Sequence, residues 1–293
     1  MKARDILMAV STSTIWGFGF AVSKFGIESF SGAQLTALRF LIAGAAVFFL
    51  PRPAVPVPVL IGVGATLYLG QFLLLFFAFQ LGMPPGVASV TQQSQAFFTV
   101  LLAALLFREV PSNRQAAGMG VAFSGLAAIG LTAGADLPLS ALLLALGSAV
   151  SWAAGNILLK RVAGVPLLPL IAWASLVPPI PALIFSYFFD PDPSLWHALA
   201  RASWTGIGSA VYLAVFATWI AYIMWGGLLG RYPAAVIAPF ALLSPCVGVI
   251  ASVLLFGEAF SPVRLTGMLL ILAGLAIIVM PVRQTAGRPN LPP

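Results

Sequence analysis

The chain has 293 residues, of which 61% are hydrophobic and 7% are charged, and its formal net charge is +7. A soluble domain carries about 25% charged residues, so this composition excludes a water-soluble fold and predicts a chain that lies in a lipid bilayer. The basic residues stand between apolar runs, as topology signals do, so the positive charge does not indicate nucleic-acid binding.

The apolar runs predict an all-α integral membrane protein with ten transmembrane helices. Each run is long enough to cross a hydrocarbon core of about 30 Å. The first helix begins with basic residues but has no convincing signal-peptide cleavage site, so we expect it to be retained. The polar, proline-rich residues 282–293 are predicted to form a disordered cytoplasmic tail. The predicted helices are 5–26, 33–50, 57–81, 86–107, 115–133, 139–161, 167–189, 203–229, 234–256 and 262–281.

Lysine and arginine are distributed unevenly between the two sides that these helices define. With the N-terminus inside, ten of them lie on the cytoplasmic side, three lie outside, and Arg39 lies within the second helix. This bias predicts that both termini are cytoplasmic. Arg39 is compatible with two interpretations, a side chain that snorkels outward or one that faces a cavity.

Residues 84–131 recur at a shift of 149 positions as residues 233–280, with 14 identities in 48 positions. The sequence Leu-Leu-Phe-Arg-Glu that ends at Glu109 returns as Leu-Leu-Phe-Gly-Glu ending at Glu258. Five predicted helices separate the two glutamates, so they fall on opposite sides of the membrane. The sequence therefore predicts two inverted five-helix repeats, 1–133 and 134–281, of the kind that form carriers.

These features resemble a known family. A tryptophan in the first helix of each half, Trp16 and Trp152, and the Leu-Leu-Phe-x-Glu ending of helices four and nine resemble the drug/metabolite transporter superfamily. Within it, the EamA-type exporters, which include bacterial exporters of aromatic amino acids, are the most similar. The resemblance covers about residues 5–281. It implies a bacterial inner-membrane carrier whose central cavity is formed mainly by helices 1, 3, 4, 6, 8 and 9, with helices 5 and 10 at the periphery.

Polar and aromatic side chains inside the predicted helices are the candidate substrate contacts. Gln92, Gln95 and Thr99 share one face of an α-helix, and amides can bind both ends of a zwitterion; the alternative is hydrogen bonding between helices. The aromatic residues are either walls of the cavity or interfacial anchors. The predicted substrate-binding residues are Trp16, Tyr68, Gln71, Gln92, Gln95, Thr99, Trp152, Asn156, Trp219, Tyr222 and Ser244.

Four residues are candidates for gates or hinges. Pro239 and Pro245 in helix nine predict a hinge or, alternatively, a static kink, because each proline removes a backbone donor. Glu109 and Glu258 end equivalent helices and are interpreted as gates of one pathway or as ion pairs at the helix ends, with a substrate ligand as the less favoured alternative. No acidic residue lies in mid-membrane, so the sequence offers no carboxylate relay for protons.

The predicted function is export of aromatic and other neutral amino acids and related small metabolites, by alternating access and facilitated diffusion. The alternatives are an exporter of drugs, purines or nucleotide-sugars, and, in another class, an intramembrane enzyme or a structural membrane protein. We expect no enzymatic activity, cofactor, metal or nucleic-acid partner; the expected partners are amino acids and the lipid bilayer. Small-residue pairs such as Gly120 with Ser124 and Ser151 with Gly155 favour packing within one subunit, with a dimer face as the alternative, so we expect a monomer or weak homodimer.

Overall fold

A computed structural model describes residues 1–108, 110–134, 136–162, 164–232 and 234–279, which form long helices joined by short connections. A helical turn at Ala234–Ile237 precedes α9, and a short helix, Leu195–Arg201, lies between α7 and α8. The long helices are α1 Ala3–Gly26, α2 Gly32–Phe48, α3 Val57–Gln80, α4 Pro85–Phe107, α5 Asn113–Gly130, α6 Leu139–Arg161, α7 Leu167–Phe189, α8 Trp204–Leu229, α9 Pro239–Phe256 and α10 Pro262–Val279.

Eight of these helices are long and apolar enough to cross a membrane, and α2 is a shorter apolar helix. The more polar α5, which starts with Asn113, Arg114 and Gln115, does not belong to the eight. The prediction of an all-helical, multi-pass membrane protein is confirmed, whereas the count of ten membrane helices stays a prediction. Glu109 and the predicted tail, 282–293, lie outside the described residues.

The contact between α5 and α10 shows how the two halves are related. A Cβ added to Gly125 would lie 2.5 Å from the carbonyl oxygen of Gly267, and one added to Gly274 would lie 2.5 Å from that of Gly118. At the repeat shift of 149, Gly118 corresponds to Gly267 and Gly125 to Gly274. Gly125 therefore contacts the repeat equivalent of Gly118, and Gly118 contacts the repeat equivalent of Gly125. Such reciprocal contacts are the signature of a two-fold axis. The paired numbers run in opposite directions, so these equivalent helices are antiparallel, as expected for inverted halves.

Both halves depart from α-helical geometry at matching positions. The segments Gly64–Gly70 in α3 and Tyr212–Ile220 in α8 are π-helical, and a shift of 149 places the first at 213–219, within the second. Short 3₁₀ segments occur in α4 at Gln92–Ser94 and in α9 at Ala238–Leu242. Irregular backbone at membrane depth is tolerated only where it is buried in protein or lines a cavity, so these four segments must be buried in the protein or line a cavity.

The predicted small-residue pairs pack against other helices of the subunit in α6 but not in α5. In α6, a Cβ added to Gly155 would meet Leu67 at 2.3 Å, and Ser151 Oγ donates to the carbonyl of Thr66 at 2.7 Å. Packing within the subunit is confirmed there. In α5, a Cβ at Gly120 would have nothing within 4 Å and Ser124 is exposed. The prediction that Gly120 and Ser124 pack within the subunit was wrong, because α5 buries a different face, which carries Gly118 and Gly125.

We predict that Gly125→Ala lowers the apparent melting temperature of the detergent-purified protein, because the new methyl group would meet backbone atoms of α10 that cannot rotate away. The expected decrease in the free energy of unfolding is about 1–3 kcal/mol, the usual cost of overpacking a helix contact. Gly120→Ala on the same helix is the matched control. Since alanine favours a helix over glycine by about 1 kcal/mol, that variant should melt at or above the wild-type temperature. Equal melting of the two variants would contradict the close contact.

Candidate functional site

A cavity of about 410 Å³ lies at the centre of the helix bundle. Its described lining comes from both halves and includes none from α5 or α10, as the family resemblance implied. Besides the expected helices, α2 contributes Arg39, and α7 contributes three apolar residues. The lining residues are Trp16, Gly19, Phe20, Ser23, Arg39, Val63, Leu67, Tyr68, Gln71, Phe72, Leu75, Gln93, Gln95, Trp152, Asn156, Leu159, Leu167, Leu170, Ile171, Leu213, Ala217, Tyr222, Trp225, Leu229, Ala241 and Ser244.

Eight of the eleven predicted substrate-binding residues line this cavity. Thr99 lies on its edge, where Asn156 Nδ2 donates both to Gln95 Oε1 at 2.8 Å and to Thr99 Oγ1 at 3.2 Å. These bonds connect α4 to α6 across the boundary between the halves. Thr99 itself lines a second cavity of about 240 Å³, which also touches Asn156. The eight are Trp16, Tyr68, Gln71, Gln95, Trp152, Asn156, Tyr222 and Ser244.

Gln92 and Trp219 are placed elsewhere, contrary to the prediction that they line the cavity. Gln92 Nε2 donates to Ser148 Oγ at 2.7 Å, and Gln93 takes its place in the lining. The α-helical spacing used for Gln92 fails because Gln92–Ser94 is a 3₁₀ segment with three residues per turn. Trp219 lies in a π-helical segment and its Nε1 donates to the carbonyl of Ala43 in α2 at 2.9 Å.

Aromatic rings from α1 and α8 form one wall. Trp16 is fixed by its Nε1, which donates to the carbonyl of Ala217 at 3.0 Å. Its ring lies edge-on to Tyr222, with centroids 5.4 Å apart, and to Trp225, with centroids 5.3 Å apart. Trp225 was missed in the sequence, although its i+3 spacing from Tyr222 places both on one face. This wall can pack against a planar or apolar substituent.

Arg39 is the main polar group that the sequence left unassigned. It is 5% exposed, and its guanidinium carbon lies 3.8 Å from the ring centre of Phe72. Nη2 donates to Thr218 Oγ1 at 3.2 Å, while Nε is buried without a hydrogen-bond partner. The described cavity lining contains no aspartate or glutamate. Arg39 therefore places a buried positive charge in the cavity wall with no described carboxylate beside it.

The cavity lining includes terminal helix residues at one end of the bundle and stops at Ser23 and Leu75 before the other, which we term the closed end. The terminal residues include Leu159 and Leu229, in the last turns of α6 and α8, and Leu167, the first residue of α7. At the opposite end, Glu258 Oε2 accepts from the backbone N–H of Gly86 at 3.2 Å, so the connection that follows α9 is joined to the first turn of α4. Burial raises the pKa of Glu258 above its usual value of 4.5.

The two prolines of α9 lie at its irregular start. Pro239 is within the 3₁₀ segment Ala238–Leu242, and Pro245 is buried near the start of the α-helical part, Leu243–Phe256. The carbonyl of Phe240 accepts from Ser13 Oγ at 2.8 Å, so a backbone acceptor of this distorted turn is satisfied by α1. Because the equivalent part of α4 has a 3₁₀ segment without proline, the prolines are not the sole cause of the distortion.

The sequence pattern of the "EamA-like transporter family" matches this chain twice, over residues 4–131 and residues 139–280. The chain belongs to the EamA-like transporter family. This confirms the resemblance drawn from the repeat and the Leu-Leu-Phe-x-Glu endings, and it identifies the chain as a transporter.

Several named proteins are similar to this chain over nearly their whole length. A protein of Salmonella typhimurium named "Probable amino-acid metabolite efflux pump" is 38% identical over 98% of this chain and 99% of its own, and one of Escherichia coli with the same name is 37% identical over 97% of each. A "Probable terminal-alkyne amino-acid exporter" of Streptantibioticus cattleyicolor is 28% identical over 98% of this chain and 96% of its own. One solved crystal structure superposes with a TM-score of 0.64 at 20% identity, covering 98% of this chain and all of the other; that likeness supports the fold alone.

The environment of Glu258 predicts a pH effect on the closed end of this EamA-like transporter. Since burial raises its pKa, the closed end binds the proton more tightly than an open, hydrated end would. Low pH therefore favours closure, and a rise of pH through the window above 4.5 favours opening. We expect Ser23→Cys, in a Cys246→Ser background, to react with a maleimide added on the side of Glu258, at a rate that rises from pH 5 to pH 8 by more than the rate of free cysteine, which rises with its thiolate fraction alone. In Glu258→Gln the rise should equal that of free cysteine.

Glu28→Gln is the control for this experiment, because Glu28 is an exposed acid that follows α1, on the same side of the bundle. It should leave the labelling rate and its pH dependence unchanged. If the labelling rate of Glu258→Gln rises with pH beyond that of free cysteine as much as it does with Glu258 present, a role for Glu258 in closing this end is contradicted.

Proposed function

We propose that this chain exports neutral amino acids, aromatic ones included, and related small metabolites across a bacterial inner membrane by alternating access. The observation that carries the proposal is the central cavity, in which aromatic rings and amides from both halves face one space. A volume of about 410 Å³ lies within the range of small-molecule sites. Amides donate and accept hydrogen bonds and can hold both an ammonium and a carboxylate group. The names of the similar proteins, amino-acid metabolite efflux pumps, support this class of substrate.

The proposal includes movement of the two halves about the cavity. Glu258, Pro239 and Pro245 lie at contacts between helices of different halves or at the irregular start of α9, which suits residues of a gate or hinge. With both termini in the cytoplasm, as the basic residues predict, the end at which α6 and α8 finish is cytoplasmic. On this proposal, substrate from the cell would enter at that end, which the cavity lining reaches.

We further propose that transport is facilitated diffusion. A proton-coupled carrier usually holds an ionisable carboxylate beside its substrate, and the described cavity lining has none, since Glu258 lies outside it. The substrate gradient made by metabolism inside the cell would then supply the driving force.

The test is counterflow in proteoliposomes that contain the purified full-length chain. Vesicles loaded with an unlabelled amino acid should take up labelled L-phenylalanine or L-leucine, and neutral amino acids should compete better than nucleosides or cationic dyes. An imposed pH gradient should not drive accumulation above the equilibrium level. Proton-driven accumulation would refute facilitated diffusion, and absence of counterflow for every neutral amino acid would refute the proposed substrate class.

We predict that Asn156→Ala lowers counterflow by about threefold to tenfold, the equivalent of losing one or two net hydrogen bonds. The variant removes the donor that binds Gln95 and Thr99, so the amide surface of the cavity would lose its fixed geometry. Asn113→Ala, an exposed asparagine at the start of α5, is the matched control and should transport at the wild-type rate. Gel filtration must show equal folded protein for both; a wild-type rate in Asn156→Ala would place the substrate elsewhere.

A further inference from the structure

Arg39 is an unusual group for the middle of a membrane bundle. A buried guanidinium is nearly always paired, because removal of an unpaired charge from water costs several kcal/mol. Among the described residues, one hydrogen bond, from Nη2 to Thr218, serves a side chain with five N–H donors, and Nε is buried without a partner. The side chain is at the same time part of the cavity wall.

The packing around Arg39 fixes its position while it leaves donors free. The guanidinium lies 3.8 Å from the ring centre of Phe72 and 5.2 Å from that of Phe40, and Phe40 is in turn stacked on Tyr68 at 4.8 Å. Stacking on a ring face stabilises the charge without using the N–H groups at its edge. The result is a rigid cation whose donors have no protein acceptor besides Thr218 among the described residues.

We propose that Arg39 is the binding site for the carboxylate group of the transported substrate. The planar guanidinium is suited to a bidentate pair with a carboxylate, and the cavity lining supplies no competing acid in the described residues. The amides of Gln71, Gln93 and Gln95 and the aromatic wall are then available for the remainder of the molecule. This assignment rests on the proposed function, which it deepens by naming the substrate group that is recognised and the residue that recognises it.

The first test changes the ligand and leaves the protein intact. Binding of L-phenylalanine and L-leucine to the full-length chain in nanodiscs is followed by tryptophan fluorescence, since Trp16, Trp152 and Trp225 line the cavity. The probes are compared with L-phenylalaninamide and L-leucinamide, which keep the side chain and the ammonium but lack the carboxylate. We expect the amides to bind about tenfold more weakly or worse, as loss of a charge-assisted pair requires.

The second test changes the protein. Arg39→Gln should weaken binding of the amino acids by about tenfold or more and bind acid and amide alike, while Arg39→Lys should retain part of the preference because it keeps the charge but not the fork. Arg52→Gln, at an exposed arginine in the α2–α3 connection, is the control and should behave as wild type. If Arg39→Gln does not fold, the comparison of acid with amide on the unmodified protein still decides the question.

The outcomes separate this assignment from the proposed function. Equal binding of acids and amides to the wild type, or binding of neither, overturns the role of Arg39, and it does so even if amino-acid counterflow is present. Binding that requires both the carboxylate and Arg39, in a chain that shows no counterflow, supports the assignment and refutes the proposed transport. Preferential binding of phosphate monoesters over amino acids would overturn the assignment in favour of a phosphate site.

Discussion

A peptide group that leaves its helical hydrogen bond inside a bilayer needs another partner in the protein, because lipid offers none. The irregular segments of this chain meet that requirement with hydroxyl groups. Ser13 Oγ donates to the carbonyl of Phe240 at 2.8 Å, Thr218 Oγ1 to that of Leu213 at 2.9 Å, and Ser151 Oγ to that of Thr66 at 2.7 Å. The cavity lies where these segments converge, so the same distortion that needs support also exposes polar groups to a substrate.

The outline of the fold could be predicted because lipid imposes simple conditions. A helix must be long and apolar to cross the bilayer, and proline, glycine and charge clusters mark its ends, so the predicted limits of α6 and α7 equal the observed ones, Leu139–Arg161 and Leu167–Phe189. The inverted orientation of the two halves followed from the sequence repeat, because an odd number of predicted helices separates its two copies. The antiparallel, two-fold contact of Gly118 and Gly125 with α10 is the geometric consequence of that relation.

The site was harder to predict because helical phase cannot be read through an irregular turn. Each residue of a 3₁₀ or π segment rotates the helix by a different angle from an α-helical residue. The sequence therefore selected Gln92 where Gln93 lines the cavity, and Trp219 where the ring is bonded to α2. Arg39 was ambiguous for another reason. It lies in the middle of the short helix α2, from which a side chain reaches the interface with difficulty, and only tertiary contacts reveal that it stacks on Phe72.

The hydrogen bond between Arg39 and Thr218 joins α2 of the first half to the π-helical segment of α8 in the second. A ligand can shift a conformational equilibrium only by the difference in its affinity for the two states. A carboxylate bound to the free donors of the guanidinium would act directly at a contact that spans the halves, because the same guanidinium holds Thr218 through Nη2. On this proposal, the residue that recognises the substrate also transmits its binding to the boundary between the two repeats. A ligand that lacks the carboxylate could occupy the aromatic wall without disturbing that boundary.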